Sequence, residues 1–192
     1  MPNYCNNRIT ISVKENKHNH LLDELEQEIK TKNEFLQVLR PMPDKYNVGE
    51  EWYDWRCDNW GTKWDMDYTI IRYENDLIIE GRTAWAPPVI ALKYYQDNNP
   101  NISIECVYVE PGNCFCGHTT FEPGVMTENH ISDMTTRTKR QWKQDNTELS
   151  DYVCEVMEDV WDCYGMDSDE EGEPDAPIIP ESSDIGGLDT HK

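Results

Sequence analysis

The chain has 192 residues and carries 17 lysines and arginines against 38 aspartates and glutamates, a formal net charge of −21 at neutral pH. Such an excess of negative charge repels phosphates, so the composition argues against direct binding of nucleic acid. With 37% hydrophobic residues, the chain is long enough for one domain with its own core plus a strongly solvated appendage.

The sequence contains no signal for a membrane or for export. No apolar stretch approaches the roughly 20 residues of a membrane-spanning helix, and residues 1–8 lack the charged and then apolar pattern of a secretory signal. The seven cysteines form no CxxC pair, which is typical of thiols in a reducing compartment. We therefore expect a cytoplasmic protein that has no membrane partner.

The first part of the chain predicts a strand followed by a helix. Ile9, Ile11 and Val13 alternate with polar residues, which is the period of a strand with one buried face. Over residues 18–30, apolar side chains recur on one side of a helix and acidic side chains occupy the rest. These apolar residues are Leu21, Leu22, Leu25 and Ile29.

A β-hairpin is predicted after residue 63. Apolar and polar residues alternate over 64–70, and a second run over 77–85 follows the turn signal Asn75-Asp76. Asp65 and Asp67 alternate along the first of these runs. They either bind a hard cation there or form the solvent side of the strand.

A second helix and a last strand complete the pattern. Pro87 and Pro88 suit the first turn of a helix that ends before Pro100, and residues 102–109 alternate as a strand. The order β-α-β-β-α-β predicts an α+β fold, a ferredoxin-like sandwich with both helices on one face of an antiparallel sheet. Residues 114–121 are expected to add an edge strand.

In this fold the helices cover only one face of the sheet, and the environment of the opposite face is open. That face is exposed to solvent, covered by the aromatic-rich insertion over 35–63, or used by a partner. The stretch Tyr46–Trp64, which covers the second half of the insertion and the residue after it, is unusually rich in aromatic residues, among them Trp52, Trp55, Trp60 and Trp64.

Two interpretations of these tryptophans follow. One is a packed cluster that seals a face or an end of the sheet, with the indole N–H groups satisfied by neighbouring polar residues. The other is a stacking groove for a base, a sugar or a partner's side chain, assisted by Arg56 and Lys63.

Cys114, Cys116 and His118 occupy alternate positions, which places three potential metal ligands on one side of an extended segment. A closed zinc site takes four ligands, so Cys106 or His130 would have to join them. The other interpretation is that of ordinary edge-strand residues. We predict no bound metal and no cofactor, and we keep these three residues as the candidate ligands.

The sequence lacks the common catalytic motifs. It has no GxSxG, no HExxH and no phosphate-binding glycine loop. We therefore predict no catalytic residues and a function that is not enzymatic.

Most of the negative charge lies at the C-terminal end, where residues 145–192 hold 16 acidic residues and one basic residue. Residues 147–164 predict an amphipathic helix. Its apolar side carries Leu149, Val153, Val156 and Val160, and its acidic side carries Glu148, Asp151, Glu155, Glu158, Asp159 and Asp162.

These six carboxylates lie within roughly 21 Å along the helix axis, a density of charge similar to that of the phosphates of one DNA strand. One interpretation is a DNA-like surface that binds a partner, and the other is a solvated helix face. Beyond the helix, proline, glycine, serine and acidic residues predict a disordered tail over 165–192.

Four stretches of the chain have distinctive sequences: MPNYCNNRITI at the start, DWRCDNWGTKWD over 54–65, TAWAPP over 83–88 and YVEPGNCFCG over 108–117. Together they resemble the YubB ferredoxin-like domain family, across about residues 1–124. Members of that family occur on bacteriophages, plasmids and genomic islands. The resemblance therefore implies a mobile genetic element and action in the cytoplasm of a bacterial host cell. The family name refers to a fold and does not imply an iron–sulfur cluster, for which this sequence lacks the clustered cysteine ligands.

The predicted domain organisation has four parts. Residues 1–124 form the ferredoxin-like domain, 125–146 a linker, 147–164 the acidic helix and 165–192 the tail. The aromatic-rich insertion lies within the first of them.

The function predicted from the sequence is that of an accessory protein that binds a host protein with a basic surface. The more specific prediction is that the protein is a DNA mimic that inhibits a host-defence nuclease complex, as an anti-restriction or anti-CRISPR protein does. One alternative is a small-ligand-binding or metal-binding protein that uses the tryptophan-rich segment and the CxCxH segment. Another is a structural or assembly factor of a phage.

Overall fold

The structure, a computed structural model, describes residues 3–47, 49–113 and 115–131. These residues form six strands, four α-helices and two 3₁₀ turns. The strands are β1 (Tyr4–Val13), β2 (Asp67–Tyr73), β3 (Asp76–Ala84), β4 (Ile102–Glu110), β5 (Phe115–Glu122) and β6 (Val125–Ile131). The α-helices are α1 (Asn19–Lys32), α2 (Leu36–Leu39), α3 (Glu51–Trp60) and α4 (Val89–Asn98).

The strands form one sheet in the order β2-β3-β1-β4-β5-β6, and every neighbouring pair is antiparallel. β1 lies between β3 and β4, where Ile9 is opposite both Ile79 and Cys106. The combination of helices with an antiparallel sheet confirms the predicted α+β class and is compatible with a ferredoxin-like arrangement. In the described part of the chain, no helix has the length and apolar composition needed to cross a membrane.

The sheet extends further than the sequence predicts. Residues 125–131, which the sequence predicts to be part of a linker, form β6 and pair with β5. The linker assignment is therefore wrong for these residues. The side chains of residues 125–130 are exposed, including Val125 at 60% and Met126 at 40%. An edge strand held by backbone hydrogen bonds needs no apolar alternation, so the sequence gives little signal for it.

The helices and the insertion over 35–63 share one face of the sheet. The insertion forms α2, a 3₁₀ turn at Asp44–Tyr46 and α3. One buried cluster joins these segments with α1, α4 and the sheet. It includes Ile9, Ile11, Leu22, Leu25, Ile29, Phe35, Leu36, Leu39, Trp60, Ile79, Leu92, Ile104 and Cys106. Of the three alternatives for the opposite face, cover by the insertion is therefore wrong.

A single carboxylate fixes where the insertion begins. Asp65 Oδ1 accepts hydrogen bonds from the backbone N–H groups of Phe35 (3.0 Å) and Leu36 (2.7 Å). Its Oδ2 accepts one from Gln37 (2.9 Å), and Oδ1 also accepts the N–H of Met66 (2.7 Å). The first turn of α2 is thereby capped by a residue that follows the insertion in the chain.

Asp65 and Asp67 do not share a strand face, in contrast to the interpretation of the sequence. β2 begins only at Asp67, whose carboxylate pairs with Arg82 across the hairpin at 2.6 Å. Asp65 lies before the strand and faces α2. The two carboxylates therefore have separate structural partners.

The predicted helix over 147–164 and the predicted tail over 165–192 lie outside the described residues. The same holds for the six candidate partner-binding carboxylates. They are Glu148, Asp151, Glu155, Glu158, Asp159 and Asp162.

The Asp65→Ala variant is expected to lower the free energy of unfolding by about 2 kcal/mol, because four backbone N–H groups lose their acceptor. Urea denaturation followed by circular dichroism measures this change. Asp97→Ala is the control, since it removes only an exposed ion pair with Lys93 and should cost below about 0.5 kcal/mol. Equal losses in the two variants would contradict the capping role.

Candidate functional site

The tryptophans of the insertion lie on and just after helix α3, not on a loop. Trp52, Trp55 and Trp60 belong to the helix, and Trp64 follows its end at Gly61. Gly61 has a φ of 85°, and its N–H binds the Cys57 carbonyl oxygen at 3.2 Å. This left-handed cap turns the chain back toward the sheet.

Trp60 is part of the core. It is 1% exposed, and its indole N–H donates to the carbonyl oxygen of Arg40 at 2.8 Å. Its ring meets that of Trp55 edge to face, with centroids 5.8 Å apart. Trp52 and Trp55 are half-buried against the same core. These contacts favour the packing interpretation of the segment.

Arg56, which the sequence suggests as an aid to ligand binding, instead contacts rings of its own chain. Its guanidinium lies 5.1 Å from the ring centre of Trp52 and 4.8 Å from that of Trp60. Cation–π attraction holds a guanidinium at such distances. A ligand that stacked on these ring faces would have to displace Arg56.

Lys63 is surrounded by three aromatic rings. Its Nζ lies 5.7 Å from the ring centre of Tyr53, 5.2 Å from Trp64 and 5.4 Å from Trp85. Trp85 follows strand β3 with a φ of 66°, and its N–H binds the Asn3 carbonyl oxygen at 3.0 Å. This strained backbone holds the indole beside Lys63.

The outer side of α3 is acidic. Glu51, Asp54 and Asp58 are exposed and recur at helical spacing, so they form one stripe. None of the three pairs with a lysine or arginine of the described residues. We call these residues the acidic stripe.

The basic residues, by contrast, are engaged within the chain. The described residues include 12 lysines and arginines against 21 aspartates and glutamates. Eight of the 12 pair with carboxylates: Arg8, Lys14, Lys17, Lys30, Lys32, Arg72, Arg82 and Lys93. The other four lie over aromatic rings: Arg40, Lys45, Arg56 and Lys63. The acidic residues are therefore in excess on this surface.

The CxCxH segment lies on strand β5. Cys116 is buried, and His118 Nε2 lies 2.8 Å from Glu105 Oε1 on the neighbouring strand. The facing imidazole lowers the pKa of Glu105. Cys114 lies outside the described residues. Within the described part of the chain, no three His, Cys, Asp or Glu side chains are arranged to hold a metal ion.

The sequence does not suggest the cluster of Tyr108, Glu128 and His130. The Tyr108 hydroxyl lies 3.0 Å from His130 Nδ1 and donates to Glu128 Oε1 at 3.4 Å. Burial raises the pKa of Tyr108, so this hydroxyl stays protonated. A Cβ at Gly117 would overlap it, and only glycine leaves room for the ring across β5. Tyr108 is 1% exposed, whereas Glu128 and His130 lie on the exposed side of β6, so the cluster joins β6 to the core.

The sequence could not reveal this cluster, because His130 and Glu128 lie on the unpredicted strand β6. The only available signal was the alternation that placed Tyr108 on a strand. Its partners are set by the pairing of β5 with β6.

No family model matches this chain, and no curated protein matches it. A solved structure that resembles part of it is the protein api92 from Yersinia pseudotuberculosis, described under the family model DUF1281. The two have 13% sequence identity and a TM-score of 0.40. The match covers 52% of this chain and 40% of api92, so this chain spans less than half the length of that protein.

Lys63→Gln is expected to lower the free energy of unfolding by about 1 kcal/mol, because three rings lose their cation. Acrylamide quenching of tryptophan fluorescence should increase at the same time. The control is Lys17→Gln, which removes an exposed pair with Glu15 and leaves both measurements as they are. The same response in both variants would show that the rings do not depend on Lys63.

The Glu105–His118 pair predicts a pH dependence of stability. Since folding lowers the pKa of Glu105 from 4.5, the pair stabilises the protein above that pH, and its contribution is lost as the pH falls through the lowered pKa. Below about pH 4.5, stability should therefore fall more steeply in the wild type than in Glu105→Gln. His118→Gln should make the dependence of stability on pH less steep in the same way. Parallel curves for Glu105→Gln and the wild type would contradict this account.

Proposed function

We propose that this protein is a non-enzymatic binding protein that presents an acidic surface to a basic site on a protein partner. The observation that supports this most is that the lysines and arginines are already engaged within the chain. Every lysine and arginine in the described part of the chain contacts a carboxylate or an aromatic ring. The excess carboxylates have no basic counterpart among these residues, and a cationic partner would supply one.

The proposed fold is a ferredoxin-like domain extended by two strands. Strands β1 to β4, with α1 before β2 and α4 before β4, have the chain order that the sequence predicts. β5 and β6 continue the sheet beside β4. This arrangement supports the ferredoxin-like assignment. It provides a rigid support on which an acidic surface can be held.

The proposed partner is a host protein that binds DNA. The acidic stripe on α3 supplies exposed carboxylates at helical spacing, and residues 145–192 hold 16 more acidic residues against one basic residue. A groove that binds phosphates attracts such surfaces by the same electrostatic force. Inhibition of a host-defence nuclease complex is the specific form of this proposal.

The origin of the protein in a phage or plasmid, and its action in the bacterial cytoplasm, are proposals that rest on the family resemblance. A small-ligand function is less favoured, because Arg56 and Lys63 already occupy faces of the aromatic rings. A role in phage assembly stays a prediction from the sequence.

The test of this function compares two variants of equal net charge. In one, the six carboxylates of the predicted acidic helix are changed to amides: Glu148, Asp151, Glu155, Glu158, Asp159 and Asp162. In the matched control, six tail carboxylates are changed instead: Asp167, Asp169, Glu170, Glu171, Glu173 and Asp175. Each immobilised protein is incubated with nuclease-treated bacterial lysate, and the retained DNA-binding proteins are identified and then challenged with duplex DNA.

We expect the wild type and the tail variant to retain the same DNA-binding protein, which duplex DNA displaces. The helix variant should retain at least about tenfold less, and retention by the wild type should fall steeply between about 50 mM and 300 mM salt. Retention by the helix variant at the wild-type level, or retention insensitive to salt, would overturn the proposal.

A further inference from the structure

The sheet face opposite the helices has a buried apolar patch. Val107, Val109 and Cys116 are exposed by only 4%, 0% and 0%. None of them belongs to the buried cluster that joins the sheet to the helices. We call these three residues the β4–β5 patch.

The strand register places the patch on the far side of the sheet. Along β4, Cys106 and Tyr108 belong to the cluster under the helices, so Val107, between them, and Val109, directly after Tyr108, point the other way. Val109 lies opposite Cys116 on β5, which puts Cys116 on the same face. The three side chains are therefore neighbours across two strands.

No helix of the described residues covers this patch. The buried residues of α1, α2, α3 and α4 all belong to the cluster on the opposite face, apart from the polar Gln96 of α4. The burial is also local, because Ile71 and Tyr73, which alternate onto the same face at the β2 edge, are 51% and 63% exposed.

We propose that the helix predicted over residues 147–164 packs on the β4–β5 patch through its apolar side. This side carries Leu149, Val153, Val156 and Val160 at helical spacing. Among the residues after Ile131, this segment has the apolar stripe, whereas residues 165–192 are dominated by acids, glycine and proline.

The path of the chain permits this packing. The described chain ends at Ile131, which lies opposite Cys116 of the patch. Residues 132–146 can span about 50 Å when extended, whereas three neighbouring strands span only about 10 Å. A helix of 18 residues is about 27 Å long, similar to the roughly 24 Å width of six strands.

A second apolar surface is a poorer candidate for the helix. A groove of about 400 Å³ beside α4 is lined by Ile90, Tyr94 and Met126. These side chains remain 39%, 42% and 40% exposed, whereas the β4–β5 patch is buried. The burial therefore points to the sheet face as the site of docking.

Docking on the patch would turn the acidic side of the helix outward. The inference thus deepens the proposed function by identifying what holds the partner-binding carboxylates in place. It stands on the patch alone, however, and requires no partner to be correct.

The first test measures alkylation of single cysteines in the full-length protein by mass spectrometry. In the double variant Val153→Asp and Val156→Asp, the labelling rate of Cys116 should rise at least tenfold, because the charged helix no longer covers the patch. Cys106 is the internal control, since it is equally buried under the other helices. The matched variant Asp151→Asn and Glu155→Gln should leave both rates unchanged. If Cys116 is labelled in the aspartate variant at the same rate as in the wild type, the proposal is overturned.

A second test does not depend on destabilising substitutions. Cysteine is introduced singly at the apolar positions Leu149, Val153, Val156 and Val160, or at the acidic positions Glu148, Glu155 and Glu158, and the protein is mildly oxidised. At least one apolar position should form an intramolecular disulfide with Cys116, and the acidic positions should not. Absence of such a disulfide from all four apolar positions would overturn the proposal.

The two proposals can fail separately. A disulfide with Cys116 in a protein that retains no DNA-binding partner contradicts the proposed function only. Partner retention that depends on the six carboxylates, without a disulfide or exposure of Cys116, contradicts the docking only.

Discussion

The hydrogen bonds of Asp65 determine how the insertion sits on the sheet. Its carboxylate joins the first turn of α2 to the chain that enters β2. A helix of four residues has too few internal hydrogen bonds to form by itself, so this external acceptor is what fixes it. The placement of α2 in turn positions Arg40, whose carbonyl oxygen accepts the Trp60 indole N–H. The aromatic residues of α3 thus depend on one carboxylate elsewhere in the fold.

The distribution of charge connects this fold to the proposed function. Every basic residue of the described chain forms an ion pair with an acidic side chain or lies over an aromatic ring. Arg56 and Lys63 are two of those that lie over rings. The surface that remains is anionic, with the acidic stripe of α3 as its most regular feature. Each exposed ion pair contributes little to stability. The pairs matter because they leave carboxylates as the charges available to a partner.

Several elements could be predicted because their signal is local. The alternation of Ile9, Ile11 and Val13 and the spacing of Leu22, Leu25 and Ile29 record which face of each element is buried. The position of β6 could not be predicted in this way, because the side chains of residues 125–130 are exposed and the strand is held by backbone pairing with β5. The partners of Tyr108 could not be predicted either, because Glu128 and His130 both lie on β6.

The sequence by itself determined the α+β class, the excess of negative charge and the candidate residues, since these depend on composition and short-range periodicity. Only the tertiary structure decided what those residues contact. It buried Trp60, separated Asp65 from Asp67, and placed His118 against Glu105. Such contacts join residues distant in the chain, and their distances follow from strand register and helix packing, which no local pattern encodes.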